Sequence, residues 1–175
     1  MRLKILLSLV VLTACAAPYR DTRVAITSQK GFVAERYLGR WYEIARFPVS
    51  FQKGCTATTA DYGRIDADTI SVKNTCRQGS PDGEMRSISG TADIIGPGRL
   101  KVRFNNVPFI AAPYWVLWVD EGYETAVVGV PNGRAGWILA RAPIIDADRR
   151  VKAEQILRAN GYDVTALIDV QQTIE

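Results

Sequence analysis

Gly39-Arg40-Trp41-Tyr42-Glu43-Ile44-Ala45-Arg46-Phe47 sets a glycine ahead of a run of aromatic and aliphatic side chains. Glycine lets the backbone turn sharply, and residues 41–47 read as a β-strand entered from that turn. Seven further strands follow, near 55–63, 69–76, 85–95, 99–105, 114–120, 124–130 and 135–141. They are separated by turn-forming residues: Asp66-Ala67-Asp68, Gly79 to Gly83, Gly96-Pro97-Gly98, Val107 to Pro113, Glu121-Gly122 and Pro131-Asn132-Gly133. In the fifth strand Leu100, Val102 and Phe104 share one face while Lys101 and Arg103 share the other, the mark of a half-buried strand.

Eight strands joined largely by short turns suit an antiparallel meander. Closed into a barrel, eight strands enclose room for side chains plus one small ligand, and closure removes edges that invite aggregation. The expected fold is therefore all-β, an eight-stranded antiparallel up-and-down barrel with one C-terminal α-helix packed outside. For that helix Asp146 is the N-cap, Val151, Ile156 and Leu157 form the apolar stripe, and Gly161 follows its end. Val164 to Val170 is a last apolar piece expected to pack back on the barrel.

Composition narrows the function. The 175 residues suffice for one domain with a sizeable core. There is no histidine, which excludes histidine triads, Cys-His dyads and His-ligated metal sites. Three cysteines do not make a four-thiolate metal site, so neither metal nor cofactor is expected. Net charge is +4, and without Arg2 and Lys4 it falls to 20 minus 18, or +2. That is too weak and scattered for a nucleic-acid surface.

The first residues read as an address. Met1 to Lys4 is positive, Ile5 to Leu12 is apolar, and small residues lead to Cys15, the three-part form of a secretory signal. Leu12-Thr13-Ala14-Cys15 resembles the lipobox of bacterial lipoproteins. That resemblance implies a signal peptide over 1–14, removed before Cys15, and acylation (palmitate included) of Cys15 as a membrane anchor. Ala16 in place of aspartate implies outer-membrane sorting, which we assign to the periplasmic face. Residues 15–30 are polar and unpatterned and read as a lipidated tether.

From residue 31 to 175 the chain resembles the lipocalins, in their bacterial form. The Gly39–Phe47 stretch is similar to the G-x-W segment that opens their first strand. Val119-Asp120-Glu121-Gly122-Tyr123 matches their second signature, and Trp137-Ile138-Leu139-Ala140-Arg141 the third. Val170-Gln171-Gln172 is similar to the bacterial tail. The resemblance implies structural roles for Gly39, Trp41, Asp120, Tyr123 and Arg141, with Trp41 plugging the closed end and the Arg141 guanidinium across its indole. Such a stack contributes ~0.5–2 kcal/mol.

It also implies a cavity for a fatty acid or lysophospholipid, walled by Thr58, Ala60 and Tyr62, by Gly90, Ala92 and Ile94, by Leu100, Val102 and Phe104, by Tyr114, Val116 and Trp118, and by Ala126, Val128 and Val130. The expected function is an envelope carrier rather than an enzyme, with no catalytic residue. Its partners are an apolar small molecule and the membrane, and a homodimer is left open. Two alternatives remain at this point: an enzyme on the same scaffold, with Glu43 the only carboxylate in a suggestive place, and a pigment or tetrapyrrole binder. Cys55 and Cys76 flank a hairpin centred near the Ile65–Asp68 turn, so a symmetric register sets them opposite each other as a disulfide. A bulge would shift that register.

Overall fold

The computed structural model describes residues 18–107 and 109–173. Eight antiparallel strands form the barrel: β1 (Gly39–Arg46), β2 (Cys55–Arg64), β3 (Thr69–Gln78), β4 (Met85–Gly96), β5 (Arg99–Phe104), β6 (Ala111–Val119), β7 (Thr125–Gly129) and β8 (Gly136–Ala140). Each pairs with its neighbours in sequence, and β8 and β2 both pair with β1, which closes the ring. Gly39 opens β1 at φ 90°, a conformation open to glycine at no steric cost. A short helix α1 (Ala34–Tyr37) precedes β1 and was not foreseen from the sequence.

The β6 strand begins three residues before the expected position and contains Pro113. β7 reaches only as far as Trp115 of β6, so residues 111–114 pair with β5 alone. Pro113 thus lies on a local edge, where a missing N–H donor is tolerated.

Asp146 caps α2 (Ala147–Ala159), its carboxylate accepting from the Arg149 N–H at 2.8 Å. Gly161 follows the helix at φ 85°. The buried stripe of α2 is Ala153 and Leu157 with half-buried Ile156. Val151, expected on that stripe, is exposed instead: it stands two positions before Ala153, and i,i+2 residues do not share a helix face. β9 (Ile168–Asp169) adds to β1, as the packing of the last apolar piece requires.

Two cores result. The inner one fills the barrel around Trp41, Leu100, Val116 and Val128. The outer one lies between the barrel wall and α2, around Phe47, Val127, Ile138 and Leu157. Residues 18–30, read as tether, lie against this assembly: Arg20 is 5% exposed and donates to the carbonyls of Asn160 and Pro131, and the Gln29 N–H donates to Val116 O. The segment read as a signal peptide, and Cys15, fall outside the described residues.

Candidate functional site

The α1 helix, the start of β1 and the end of β8 form the closed floor. Trp41 is fully buried and its indole N–H donates to the Tyr37 carbonyl at 2.8 Å. Arg141 lies 3.9 Å from the indole centroid and donates to the carbonyls of Arg36, Leu38, Arg40 and Tyr123. One guanidinium therefore stacks on the floor and ties α1, β1 and the β6–β7 turn together. The Asp120 carboxylate accepts the N–H groups of Glu124 and Thr125 within that turn. Tyr123 sits at φ 59°, and its hydroxyl accepts the Val33 N–H at 2.8 Å. Every signature residue has a structural task.

At the other end, the mouth, the β1–β2, β3–β4, β5–β6 and β7–β8 connections meet. Along β5, exposure rises from 0% at Leu100 and 7% at Val102 to the half-buried Phe104. Tyr62, Ala92, Leu100, Val102, Val116, Ala126 and Val128 belong to the inner core, and Ala60, Ile94, Phe104 and Tyr114 pack on it. Thr58 is buried, and its hydroxyl has no hydrogen-bond partner among the described residues. At Gly90 a Cβ would stand 2.1 Å from the Arg103 carbonyl oxygen, so the close approach of β4 to β5 requires glycine there.

Trp118 is a correction. β6 pairs Val116 with Val128, then Trp118 with Val127 and Val119 with Ala126. The bulge turns Trp118 onto the outer core and gives its interior place to Val119. Val130, also expected in the wall, lies beyond the end of β7, where its N–H and C=O are held by the Tyr162 hydroxyl.

The interior also holds a string of polar groups, of which the sequence reading of the wall named Tyr62 and Tyr114 but not Tyr37, Gln52 or Arg46. Three phenols meet: the Tyr37 and Tyr114 hydroxyls share a hydrogen bond at 2.8 Å, and Tyr62 donates to Tyr114 at 2.8 Å. Burial pushes the pKa values of all three above the ordinary tyrosine range, so they stay neutral. Tyr114 stacks on Trp137, whose indole N–H donates to Gln52 Oε1 at 3.0 Å. Gln52 Nε2 in turn donates to Glu43 Oε2 at 2.7 Å, and Arg46 Nη1 donates to Glu43 Oε1 at 2.9 Å.

A bulge in β1 between Glu43 and Ala45 brings Arg46 opposite Trp137, inside the barrel with Glu43. Strict alternation from Trp41 would have turned Arg46 outward. Burial raises the Glu43 carboxyl above its ordinary value, against the opposing pull of Gln52 and Arg46. The carboxylate suspected of chemistry is thus an ion-paired group, and the guanidinium beside it is engaged through both terminal nitrogens, its buried Nε being without a partner among the described residues.

The Cys55–Cys76 disulfide is present, with Cα atoms 5.4 Å apart. The symmetric register is not: β2 sets Cys55 against Gln78 and Thr56 against Arg77, then resumes at Thr59 against Thr75. Ala57, at φ 43°, carries the bulge between them and donates its N–H to Gln171 O. Gln172 Nε2 donates to the carbonyls of Glu43 and Thr58, so the tail holds both irregular strands.

A family model described as a lipocalin-like domain matches residues 33–172. The chain belongs to the lipocalin family. A putative lipocalin of Acanthamoeba polyphaga mimivirus is 36% identical over 153 residues, covering 82% of this chain and 86% of that one. The outer membrane lipoprotein Blc of Escherichia coli (strain K12) is 36% identical over 166 residues, covering 93% of this chain and 90% of its own. Among solved structures, lobster apocrustacyanin A1 superposes with a TM-score of 0.66 at 19% identity, over 80% of this lipocalin and 79% of that chain. At that identity the likeness is one of fold.

Proposed function

We propose that this lipocalin is a non-enzymatic carrier, anchored through acylated Cys15 to the periplasmic face of the outer membrane, that holds a fatty acid or lysophospholipid in its barrel. The observation that carries the reading is the gradient along the wall. The floor is sealed at Trp41 and Leu100, while Phe104, Tyr114 and Trp137 stay half-buried. An acyl chain enters from the mouth by displacing the Tyr114 and Trp137 side chains, and lies against Ala60, Ala92 and Ala126. Each CH₂ taken from water releases about 0.8 kcal/mol, enough over a long chain to exceed association costs. The relative named an outer membrane lipoprotein supports the location, and the lipobox at Leu12–Cys15 supports the anchor.

The test is native mass spectrometry of the protein purified from its host's envelope. A bound mass matching a fatty acid or lysophospholipid, released on unfolding, is the expected result. A barrel carrying a tetrapyrrole, or one that stays unliganded through extraction with a fatty-acid mixture, contradicts the reading.

A further inference from the structure

Five large apolar side chains stand in water around the mouth. They are Phe51 (71% exposed) between β1 and β2, Met85 (60%) at the start of β4, and Val107 (42%), Phe109 (99%) and Ile110 (64%) between β5 and β6. Phe51 and Phe109 are the most exposed large hydrophobics among the described residues. None of the five closes the barrel or packs in either core. Large apolar side chains left exposed together at one end of a molecule mark a surface that meets another apolar phase.

The floor end also exposes apolar residues, Val33, Ile65 and Ile95. What separates the two ends is where the chain leaves the barrel. Tyr19 is fixed at the mouth: its N–H donates to Gly133 O at 2.8 Å in the β7–β8 connection, and its hydroxyl to Pro48 O at 2.7 Å after β1. Its ring stacks on Phe47 at 5.1 Å. The next residue is locked as well, since Arg20 donates to Pro131 O at 2.8 Å, and a Cβ on Gly133 would come within 2.7 Å of its side chain. Four residues separate Tyr19 from Cys15, and four residues span at most about 14 Å. An acyl group on Cys15 is therefore tied to the mouth and not to the floor.

We propose that the mouth docks on the bilayer that anchors the chain, with Phe51, Met85, Val107, Phe109 and Ile110 set between headgroups and acyl chains. The barrel then opens onto lipid, and its ligand passes between bilayer and cavity without crossing water. The proposal rests on the acylation of Cys15 proposed above, and the two are separable by experiment.

A fluorophore that brightens in apolar surroundings is placed by Asn106→Cys at the mouth, or by Ala67→Cys in the β2–β3 turn at the floor. With Cys55 and Cys76 bonded and Cys15 acylated, the introduced thiol is the one left to label. The acylated full chain is reconstituted into phosphatidylethanolamine–phosphatidylglycerol vesicles with or without brominated acyl chains, which quench by contact. The expected result is quenching at position 106 and not at 67, lost when Phe109→Ser and Ile110→Ser are added.

A vesicle-bound, acylated chain that is unquenched at 106, or quenched equally at 67, overturns the docking and leaves the anchor standing. Quenching that survives the two serine substitutions overturns the role of the collar. A parent chain found not acylated, whose Cys15→Ser form labelled at 106 is quenched when mixed with vesicles, supports the docking and overturns the anchor. Neither acylation nor quenching overturns both. Dimerisation without lipid that Phe109→Ser abolishes would give the collar to a second copy of the chain and overturn the proposal.

Discussion

Trp41 and Arg141 show how much one contact carries. Trp41→Ala empties the floor of a fully buried indole, and is expected to cost ~3–5 kcal/mol in denaturant unfolding. Arg141→Ala should cost less, and its cost should shrink when Trp41 is already absent, because the two side chains touch. A remainder should persist, since Arg141 also holds four backbone carbonyls. Strictly additive losses would mean that the stack contributes nothing.

Arg46 gives a second residue-scale test. Arg46→Met leaves the Glu43 carboxylate buried beside Gln52 alone, and breaking a buried pair from one side costs ~3–5 kcal/mol. The folded-state pKa of Glu43 is raised, so the fold favours its neutral form. That contribution is fully present below the ordinary value of 4.5 and is lost as pH rises through the folded value. Removing Arg46 raises the folded value further. The loss of stability should therefore be larger at neutral pH than near pH 4.5, as read from unfolding midpoints of variant and parent. Equal losses at both would show that Glu43 is not the partner that matters.

At the scale of elements, what was legible in the sequence was periodicity. β5 alternates cleanly because its pairing with β6 is unbroken and the one shift against β4, between Ile94 and Gly96, falls at its first residue, and its inward face was read correctly. β1, β2 and β6 each carry a bulge, and a bulge moves every later residue to the other face. Nothing in the residue types announces these. Ala57 and Tyr123 take positive φ without being glycine, and the Gln171 and Gln172 contacts that steady the β2 bulge come from more than a hundred residues away. Hence Trp118 was placed inside, Arg46 went unseen, and the cysteines were paired by the wrong register though rightly paired. The β6 bulge predicts a contrast: Val119→Glu should abolish acyl-chain binding, while Trp118→Gln should reduce stability and spare affinity. A fluorescence titration of both variants decides it, and the reverse outcome would restore regular alternation.

For the molecule as a whole, three signatures in order and a following helix were enough to read the family, because they mark the floor, a turn and the last strand that any such barrel must close. Of the polar string from Tyr37 to Arg46 only the separate members Tyr62, Tyr114 and Glu43 were legible, since their joining depends on contacts between strands. The string nevertheless bears on the ligand: Arg46 is committed through its terminal nitrogens to Glu43 and to the carbonyls of Gln52 and Cys55, which balances its charge and leaves only the buried Nε without a partner among the described residues. The tail should dominate binding. The direct measurement is a fluorescence displacement series of fatty acids and their methyl esters from C8 to C18, with the parent and Val116→Glu. Affinity should rise with length by at most ~0.8 kcal/mol per CH₂, change little on esterification, and vanish in Val116→Glu, where a charge is buried without a partner. Affinity independent of length, or intact in Val116→Glu, would contradict a ligand held inside the barrel.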